Sequence, residues 1–455
     1  MHELLDLQKR FFQTGATLNY DFRKNALKKL QLAIVRHHQD ILDALFQDLN
    51  KGETEAILTE VWMVEKELAY QMRHLKSWMR TKRVSTDLTS IPGKSYSYFA
   101  PLGTSFILSP WNYPFHLLFI PLIGAIAAGN TAIVKPSLSS INTSKVIKTI
   151  IEEAFSLEYV TCVLADHEET NRLLEANFDH IFFTGSPSIG KTVYEKAAKN
   201  LTKLTLELGG KSPCIVDGTI KPEITARRII FGKLINCGQT CIAPDYVICE
   251  RKALPDLLKY LEMAVKQAFV EDPLKTSDYP KMITKRHFDR MVSLLENQKL
   301  TFGGRFSPES LKIEPTVLVT DINNPFMQEE IFGPVLPIIP YDEESEIDNI
   351  IAHSPNPLAL YVFSKNKVFI DKILRHHTFG GGCVNDTLSH IISDNLPFGG
   401  VKTSGLGNYH GLYSFKTFSH QVAIYHKHPT AELMIRYQPY KPFIKKLIKK
   451  FFLKK

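Results

Sequence analysis

The chain has 455 residues, of which 44% are hydrophobic, and its net charge is +8. This length exceeds what one hydrophobic core usually supports, so two or three subdomains are expected. Residues 441–455 contain seven lysines and no acid, which leaves +1 for the rest of the chain and argues against nucleic-acid binding.

Six cysteines stand at irregular positions, namely 162, 214, 237, 241, 249 and 383. They form neither a disulfide framework nor the paired spacing of a zinc site, so we predict no metal and a reducing compartment. No apolar run reaches about 18 residues, and the first residues show no basic region followed by an apolar stretch. We therefore expect a cytoplasmic protein that does not span a membrane.

Helical periodicity dominates the first eighty residues. Apolar residues recur there at mixed spacings of three, four and seven, namely Phe22, Leu27, Leu30, Ile34, Ile41, Leu45 and Leu49. They predict packed helices and no cofactor site.

From about residue 100 onward, short apolar strands alternate with amphipathic helices. The predicted strands are 105–108, 131–134, 159–164 and 180–183, and helices are expected to begin near Ser139 and Pro187. This alternation is typical of a doubly wound α/β domain with a parallel sheet. A second α/β pattern has strand candidates at 214–216, 246–249, 335–339 and 360–363, and two further segments, 95–99 and 422–425, alternate as exposed strands do.

The turn from Gly185 to Gly190 joins a predicted strand to a predicted helix. Backbone N–H groups and a helix dipole at such a turn suit a pyrophosphate. The segment lacks the standard GxGxxG spacing, and a Gly-Ser turn is more often only a turn. On the residues alone, both interpretations stay open.

Cys241 lies in the run NCGQTCIAP at 236–244, thirty-four positions after Glu207 in the run LELGGKSP. A thiolate attacks electrophilic carbon well, and a carboxylate can deprotonate the water that later cleaves the adduct. Taken singly, a cysteine is more often a small buried hydrophobe and a glutamate at a strand end more often lies at the surface. The glycine and polar residues around Cys241 predict a specific turn, which favours a catalytic role for this cysteine over a place in the core.

These two runs resemble the paired active-site signature of the aldehyde dehydrogenase superfamily. Five further motifs occur in the family's order: 110–115, 129–137, 183–186, 329–334 and 396–400. The short amino-terminal region and the segments 243–246, 409–411 and 417–420 are most similar to the class 3 branch. The resemblance implies NAD(P)-dependent oxidation of hydrophobic medium-chain, long-chain or aromatic aldehydes to carboxylic acids.

The resemblance also implies an architecture. Residues 1–83 and 101–206 are expected to form a Rossmann-type dinucleotide-binding domain, and residues 207–380 an α/β catalytic domain. Residues 84–100 and 381–440 are expected to supply small β segments that bridge to a second copy of the chain. A homodimer follows from this resemblance.

By resemblance, Cys241 is the nucleophile, and the Asn112 side chain joins the Cys241 backbone N–H in an oxyanion hole. Without the family match, Asn112 is more often only a turn residue. Glu207 is the expected base for hydrolysis, and burial between Leu206 and Leu208 is expected to raise its pKa.

The resemblance assigns the binding of NAD or NADP to Lys135, Gly185, Ser186, Gly190, Glu330 and Phe332. Lys135 matches the lysine at the adenine ribose, and Glu330 matches the glutamate at the nicotinamide ribose. Many relatives carry a glutamate three residues after that lysine, where this chain has Leu138. Losing that carboxylate removes its repulsion of a 2′-phosphate, so we expect greater tolerance of NADP.

Tyr113, Phe231 and His390 are candidate substrate contacts, with core packing as the alternative for each. Phe231 precedes Ile235 by one helical turn and is expected to face the entrance channel of an apolar aldehyde.

Two other functions stay open. A CoA-acylating relative does not need Glu207, although a glutamate alone does not exclude transfer to a thiol. A non-catalytic membrane scaffold needs none of the three catalytic residues. Cys237 raises a further hypothesis, a redox link to Cys241, against the commoner interpretation of a packed small residue.

The tail at 441–455 alternates apolar pairs with lysine pairs at roughly helical spacing. This pattern predicts a helix with an apolar stripe beside a basic face, which is typical of contact with a membrane surface. A frayed terminus, or a segment that packs on its own dimer, is the alternative.

Overall fold

The computed structural model describes residues 2–269, 271–431 and 436–453. Its α-helices, in chain order, are α1 (His2–Gln13), α2 (Tyr20–Arg36), α3 (His38–Leu49), α4 (Glu53–Ala56), α5 (Trp62–Trp78), α6 (His116–Ala128), α7 (Ile141–Ala154), α8 (His167–Leu174), α9 (Pro187–Ala198), α10 (Pro222–Leu234), α11 (Leu254–Ala268), α12 (Lys285–Leu295), α13 (Glu344–Ala352), α14 (Lys367–His376), α15 (Leu412–Thr417) and α16 (Pro442–Phe452). A π-helical turn, Ile57–Val61, joins α4 to α5.

The strands, in chain order, are β1 (Lys82–Val84), β2 (Gly93–Pro101), β3 (Thr104–Leu108), β4 (Thr131–Lys135), β5 (Val160–Cys162), β6 (His180–Thr184), β7 (Lys203–Glu207), β8 (Pro213–Val216), β9 (Tyr246–Glu250), β10 (Phe306–Ser307), β11 (Lys312–Ile313), β12 (Thr316–Val319), β13 (Val335–Tyr341), β14 (Ala359–Phe363), β15 (Gly381–Val384), β16 (Gly405–Leu406) and β17 (Ser419–Lys427). They form two six-stranded sheets, one three-stranded sheet and a small hairpin of β10 and β11.

The amino-terminal helices begin and end where capping chemistry places their boundaries. Asn19 caps α2 by accepting hydrogen bonds from the backbone N–H groups of Asp21 and Phe22. Asn50 ends α3 in the left-handed conformation. The predicted apolar positions from Leu27 to Leu49 are all buried, so the expectation of packed helices is confirmed.

The first six-stranded sheet has the order β16-β7-β6-β3-β4-β5, and β16 is its antiparallel edge strand. Strands β3 to β7 run parallel, with helices between them, which is the predicted doubly wound arrangement. Every residue of β3 and β6 is buried, because helices cover both faces of the sheet. The carboxyl edge of this sheet therefore gathers the loops that follow β3, β4, β6 and β7.

The second six-stranded sheet has the order β12-β13-β9-β8-β14-β15 and is parallel throughout. It contains all four strands predicted for the second α/β region. Its edge strand β15 is only partly buried.

The three-stranded sheet pairs β2 with β17 over nine residues, from Pro101 opposite Ser419 to Gly93 opposite Lys427, and β1 adds along β2. Both segments predicted as exposed strands lie here. Within the segment 381–440, β15 belongs to the second six-stranded sheet and β16 to the first. Of that segment, only β17 enters the three-stranded sheet, while residues 432–435 lie outside the described part.

The carboxyl-terminal helix α16 lies within the predicted basic tail, and its Phe443, Phe451 and Phe452 side chains are exposed. Lys454 and Lys455 lie outside the described residues. Among the helices of the described chain, none is both long and apolar enough to cross a membrane.

Candidate active site

A cavity of about 2240 Å³ opens at the carboxyl edge of the first six-stranded sheet. Its wall includes Ser109 after β3, Ser137 after β4, Gly185 after β6 and Glu207 at the end of β7. Ligands of doubly wound folds bind at this edge. Cys241, which precedes β9, lies on the same wall, so the fold brings the predicted thiol and carboxylate into one cavity.

The loop that carries Cys241 is held in an unusual conformation. Asn236, Cys237 and Gly238 all have positive φ, at 51°, 55° and 74°. Such a backbone costs about 1–3 kcal/mol for each non-glycine residue and is maintained only when surrounding contacts fix it. A β-carbon at Gly238 would collide with the carbonyl oxygen of Gly333, so only glycine fits there.

Hydrogen bonds supply those fixing contacts. The Glu55 carboxylate accepts from the Asn236 backbone N–H at 2.8 Å. The Asn236 amide donates to the carbonyl oxygens of Asn112 at 2.8 Å and Gln239 at 3.2 Å. The Gln239 side chain in turn donates to Lys281 and accepts from Ile283. The thiol therefore stands on a rigid loop.

The Cys241 thiol is partly exposed to the cavity, in an apolar setting close to two carboxylates. Burial raises the pKa of the thiol well above its ordinary value of 9.0, and the negative charges of Glu330 and Glu207 raise it further. The backbone N–H groups of Cys241 and Ile242 oppose this effect. In this state the sulfur is held as the neutral thiol at neutral pH.

Glu207 is only 2% exposed, and neither carboxylate oxygen has a hydrogen-bond partner among the described residues. Its backbone is fixed between Thr184 of β6 and Gly405 of β16. Burial raises the pKa of Glu207 well above 4.5, as its apolar neighbours predicted. A carboxyl group in this state can take up a proton near neutral pH.

Asn112 lies in the turn between β3 and α6 and is buried at the cavity wall. Its amide nitrogen donates to the Gln239 carbonyl oxygen at 2.9 Å, which uses one of its two hydrogens. The neighbouring Tyr113 shares a 2.6 Å hydrogen bond with the Thr240 hydroxyl. Both side chains thus contact the loop that precedes Cys241.

The amino terminus of α9 faces the cavity through Ser186, Pro187, Ser188 and Ile189. Ser186 caps the helix by accepting from the Ile189 N–H. The positive end of the helix dipole and the lining position of Gly185 fit a pyrophosphate.

The predicted cofactor contact at Gly190 stays a prediction. This residue does not line the cavity, and its N–H donates to the Ser186 carbonyl oxygen within the helix. A β-carbon at Gly190 would lie 2.6 Å from a methyl carbon of Leu208. The glycine therefore lets α9 pack closely against β7.

Glu330 reaches across the cavity wall to the glycine pair that follows Glu207. The Gly210 N–H donates to its carboxylate, and a β-carbon at Gly209 would collide with it. Burial is the main cause that raises the pKa of Glu330 to about 8, and Asp245 adds to it. Arg290 fixes the segment by donating to the carbonyl oxygens of Glu330 at 2.8 Å and Ile331 at 2.9 Å.

Phe332 lines the cavity with a φ of 51°, and its ring meets Trp111 edge-on at 5.5 Å between centroids. Lys135 ends β4, and its half-buried side chain lies outside the cavity lining. Burial lowers the pKa of Lys135, while the charge of Asp166 raises it. Leu138 begins the short turn before α7 and is 39% exposed.

Of the predicted substrate contacts, Tyr113 and Phe231 line the cavity, and Phe231 is 57% exposed at its rim. His390 does not line it, and its predicted contact with substrate stays a prediction. Its ring stacks on Phe398 and its Nδ1 lies 3.5 Å from the Cys383 sulfur. Burial lowers the pKa of His390 to about 4, so the ring is neutral.

Cys237 is fully buried in a core cluster with Tyr279, Met291 and Phe326, and its sulfur lies 3.3 Å from the Tyr279 hydroxyl. It does not share the cavity wall with Cys241. These contacts favour a packed small residue over a redox link.

The sequence interpretation missed the amino-terminal contribution to the site. The π-helical turn and its neighbours place Glu55, Leu58, Trp62 and Met63 on the cavity wall, although this region was predicted to be packed helices only. A lysine–glutamate pair, Lys51 and Glu60, lies behind this wall. No local signal separates these residues from the charged face of an ordinary amphipathic helix.

A thiol, an unpaired buried carboxylate and a helix amino terminus of the kind that suits a pyrophosphate lie in one cavity, which fits a nucleotide-dependent oxidoreductase that works on carbonyl carbon. The chain belongs to the aldehyde dehydrogenase family, whose pattern matches residues 4–424. It is therefore an enzyme that oxidises aldehydes to acids with NAD or NADP.

Relatives of known name match almost the whole chain. The 4,4'-diaponeurosporen-aldehyde dehydrogenase of Staphylococcus aureus is 44% identical over 448 residues, which cover 98% of this chain and 97% of the relative. A dimeric, NADP-preferring aldehyde dehydrogenase of Canis lupus familiaris is 40% identical over 419 residues, 92% of each chain. A solved structure, the substrate-bound state of Staphylococcus aureus AldH, superposes with a TM-score of 0.97 at 43% identity and covers 99% of both chains.

Proposed function

We propose that this aldehyde dehydrogenase oxidises apolar medium-chain, long-chain or aromatic aldehydes through a thioester on Cys241. Apolar side chains on the cavity wall support this substrate class: Leu58, Trp62, Met63, Leu117, Ile230, Phe231, Leu234, Ile391 and Ile392. Such a wall excludes water from a hydrocarbon chain and leaves the polar groups to orient the carbonyl. The Staphylococcus aureus relative is named as a 4,4'-diaponeurosporen-aldehyde dehydrogenase.

Cys241 is the proposed nucleophile. Its thiolate attacks the aldehyde carbon, which forms a C–S bond and places negative charge on the carbonyl oxygen. Two donors are proposed to stabilise that charge, the second hydrogen of the Asn112 amide and the Cys241 backbone N–H. Because the pKa of the thiol is raised in the protein alone, the thiolate must form when substrate and cofactor change its surroundings.

Bound NAD or NADP would supply the acceptor for the hydride that leaves the substrate carbon. We propose that the amino terminus of α9, with Gly185 and Ser186, holds the pyrophosphate and that Glu330 holds the nicotinamide ribose. Phe332 and Lys135 are proposed as further contacts. Leu138 offers no carboxylate to repel a 2′-phosphate, which supports use of NADP.

Glu207 is the proposed base of the hydrolytic step. Its carboxylate takes a proton from water, the resulting hydroxide attacks the thioester carbon, and the C–S bond breaks to release the acid. The unpaired, buried carboxylate in the cavity of Cys241 is the observation that carries the proposal. It favours hydrolysis over transfer of the acyl group to CoA, which needs no base for water.

The test follows the absorbance of reduced nicotinamide with decanal, benzaldehyde and acetaldehyde. Wild type is expected to act on all three and to prefer decanal, whereas Cys241→Ala is expected to be inactive. Cys383→Ala is the matched control, since Cys383 is also a partly buried thiol but lies off the cavity wall. Turnover by Cys241→Ala at the wild-type rate rejects the proposal.

We also propose a homodimer that forms through the three-stranded sheet. In the described chain, β17 pairs with β2 along one edge only, and its Ile424 and Tyr425 are exposed. An exposed edge of nine residues is a template for another strand, and β15 of the second sheet offers a partly buried edge. The canine relative is named as dimeric. Light scattering of wild type and Ile424→Asp tests this, with a dimer expected for wild type and a monomer for the variant.

The tail is proposed to contact anionic membrane surfaces. Helix α16 exposes its phenylalanines beside Lys445, Lys446, Lys449 and Lys450, so apolar insertion and charge attraction act together. Co-sedimentation with vesicles of phosphatidylglycerol and of phosphatidylcholine tests this for the full chain and for a chain ending at residue 440. Binding to the anionic vesicles alone, lost on truncation, is expected; equal sedimentation of both chains contradicts it.

Six free cysteines support a cytoplasmic location.

A further inference from the structure

A buried ion pair grips the turn that carries Asn112 and Tyr113. The Lys51 ammonium lies 2.7 Å from a Glu60 carboxylate oxygen, and both side chains are completely buried. The same ammonium lies 3.4 Å from the Asn112 carbonyl oxygen and 4.2 Å from the centre of the Tyr113 ring. The cation therefore contacts two consecutive residues of the turn.

The carboxylate of the pair holds the other end of that turn. Its second oxygen accepts from the backbone N–H groups of Phe115 at 3.1 Å and His116 at 2.8 Å. These groups open α6, whose cap residue Phe115 supplies no side-chain acceptor. Glu60 therefore replaces the missing cap from a distant segment, with its negative charge at the positive end of the helix.

The π-helical turn accounts for how Glu60 reaches this place. Glu60 belongs to the turn Ile57–Val61, where the helix widens by one residue. Its neighbours Leu58, Thr59 and Trp62 face the cavity, whereas Glu60 faces inward to Lys51. An extra residue in the turn thus lets one segment supply both the cavity wall and the acid behind it. Interruptions of this kind recur at functional sites.

Stability alone is a weak reason for such a pair. Removing two charges from water costs several kcal/mol for each ion, and apolar residues of similar size often serve stability as well or better. Apolar residues make no directional bonds. Only charged and hydrogen-bonding groups can fix the orientation of the Asn112 carbonyl and of the first N–H groups of α6. The contacts point to geometric control of the turn.

We propose that Lys51 and Glu60 are positioning residues that hold the Asn112 amide where the oxyanion develops. This inference rests on the proposed role of Asn112 in the reaction. The pair fixes the Asn112 backbone, the Gln239 carbonyl orients the Asn112 amide, and the substrate oxygen receives the remaining hydrogen. Loosening the turn displaces that donor without removing it, and small displacements of this kind cost up to about a hundredfold in rate.

The experiment is a double-mutant cycle on the burst of reduced nicotinamide. Lys51→Met is made in wild type and in Asn112→Ala, and the burst rate constant with decanal is measured for all four proteins. Lys51→Met is expected to slow the burst at least tenfold in wild type but less than twofold when Asn112 is already alanine. A merely structural role gives the same loss in both backgrounds, and that result overturns the inference.

A second variant guards against loss of folding. Lys51→Met/Glu60→Gln removes both charges together and keeps an amide oxygen for the N–H groups of Phe115 and His116. It is expected to fold, to melt near the wild-type temperature and still to show the slow burst. A stable double variant with a wild-type burst refutes the inference.

Lys312→Met serves as the matched control, since Lys312 is also buried and donates to a backbone carbonyl, that of Thr276, away from the cavity wall. Its burst is expected to remain within twofold of wild type. The two levels of failure are distinct. An Asn112→Ala burst at the wild-type rate refutes the proposed oxyanion role itself, whereas a slow Asn112→Ala burst beside a wild-type Lys51→Met burst refutes only the positioning role.

Discussion

Glu207 on the cavity wall and Asp245 behind it are both buried carboxylates, but they differ in their bonding. Asp245 is 4% exposed, pairs with Lys211 through one oxygen and accepts from the Ile331 N–H at 3.0 Å through the other. Glu207 is 2% exposed and has no hydrogen-bond partner among the described residues. Both oxygens of Asp245 are therefore bonded, whereas both oxygens of Glu207 lack a partner among the described residues.

This difference in bonding distinguishes a carboxylate that stabilises the fold from one that can take part in the reaction. A carboxylate whose oxygens are bonded to a cation and to a backbone N–H group is fixed in place and serves the fold. A buried carboxylate without donors has a raised pKa and can exchange protons. Lys211 extends the framework by donating to the carbonyl oxygens of Phe326 at 2.8 Å and Glu329 at 2.9 Å, which fixes the approach to Glu330.

The largest effect on this comparison is expected from Asp245→Ala. The substitution leaves the Lys211 ammonium buried and unpaired, which costs about 3–5 kcal/mol in the free energy of unfolding. Urea denaturation measures it. Asp342→Ala is the control, since Asp342 pairs with Arg251 at the exposed surface, where solvent screens both charges, and a much smaller loss is expected there. Equal losses at the two sites contradict the assignment of Asp245 to the framework.

Gly209→Ala tests the close approach of Glu330. A β-carbon there collides with the Glu330 carboxylate, which must move away from its place, so the KM for the cofactor is expected to rise about tenfold. At Gly210 the nearest atom to a new β-carbon is 3.4 Å away, so Gly210→Ala is the matched control with a wild-type KM. Steady-state kinetics with varied NADP distinguish the two.

The pKa of Cys241 predicts slow alkylation of the protein without cofactor. Burial and two nearby carboxylates raise that pKa above 9.0, so thiolate is scarce at pH 7 and grows with rising pH. The rate with iodoacetamide is expected to increase about tenfold for each pH unit from 7 to 9, as for any thiol below its pKa. Mass spectrometry of the Cys241 peptide measures it. A plateau below pH 8 contradicts the assigned surroundings.

The smallest effect is expected from Leu138→Glu, which restores a carboxylate at the turn after β4. Repulsion of the 2′-phosphate is expected to lower kcat/KM for NADP about tenfold relative to NAD, which is about 1.4 kcal/mol. Leu138→Gln matches the shape without the charge and is expected to change the ratio less than threefold. A preference of wild type for NAD above a hundredfold rejects this account of Leu138.

Much of the fold could be predicted because the two large sheets are parallel and buried. Their strands read as short apolar runs between helices, which is why 105–108 and 180–183 fall within β3 and β6. The places of β15 and β16 within 381–440 could not be predicted because both are short strands. The place of such a short strand in a sheet is set by its tertiary contacts and not by a local sequence pattern.

The predicted centre of the site consists of Cys241, Glu207 and Asn112, which all lie on one cavity wall. These residues could be predicted because a distinctive run of sequence surrounds each of them. Lys51 and Glu60 escaped prediction because their contacts join segments that are distant in sequence. Gly190 and His390 were predicted from motif position, and the structure adds that Gly190 allows close packing and that the His390 ring stacks on Phe398. Sequence motifs therefore predict the groups that are proposed to react. The roles of the surrounding residues follow only from their burial and hydrogen bonds in the structure.

The most direct test of the account is the time course of reduced nicotinamide with Glu207→Gln. The variant keeps shape but cannot accept a proton, so hydrolysis of the thioester is expected to slow about 10²–10⁴-fold. The account predicts a full first turnover at a near wild-type rate, followed by that slow phase, in a protein as stable as wild type. A steady rate equal to wild type, with no burst, contradicts it.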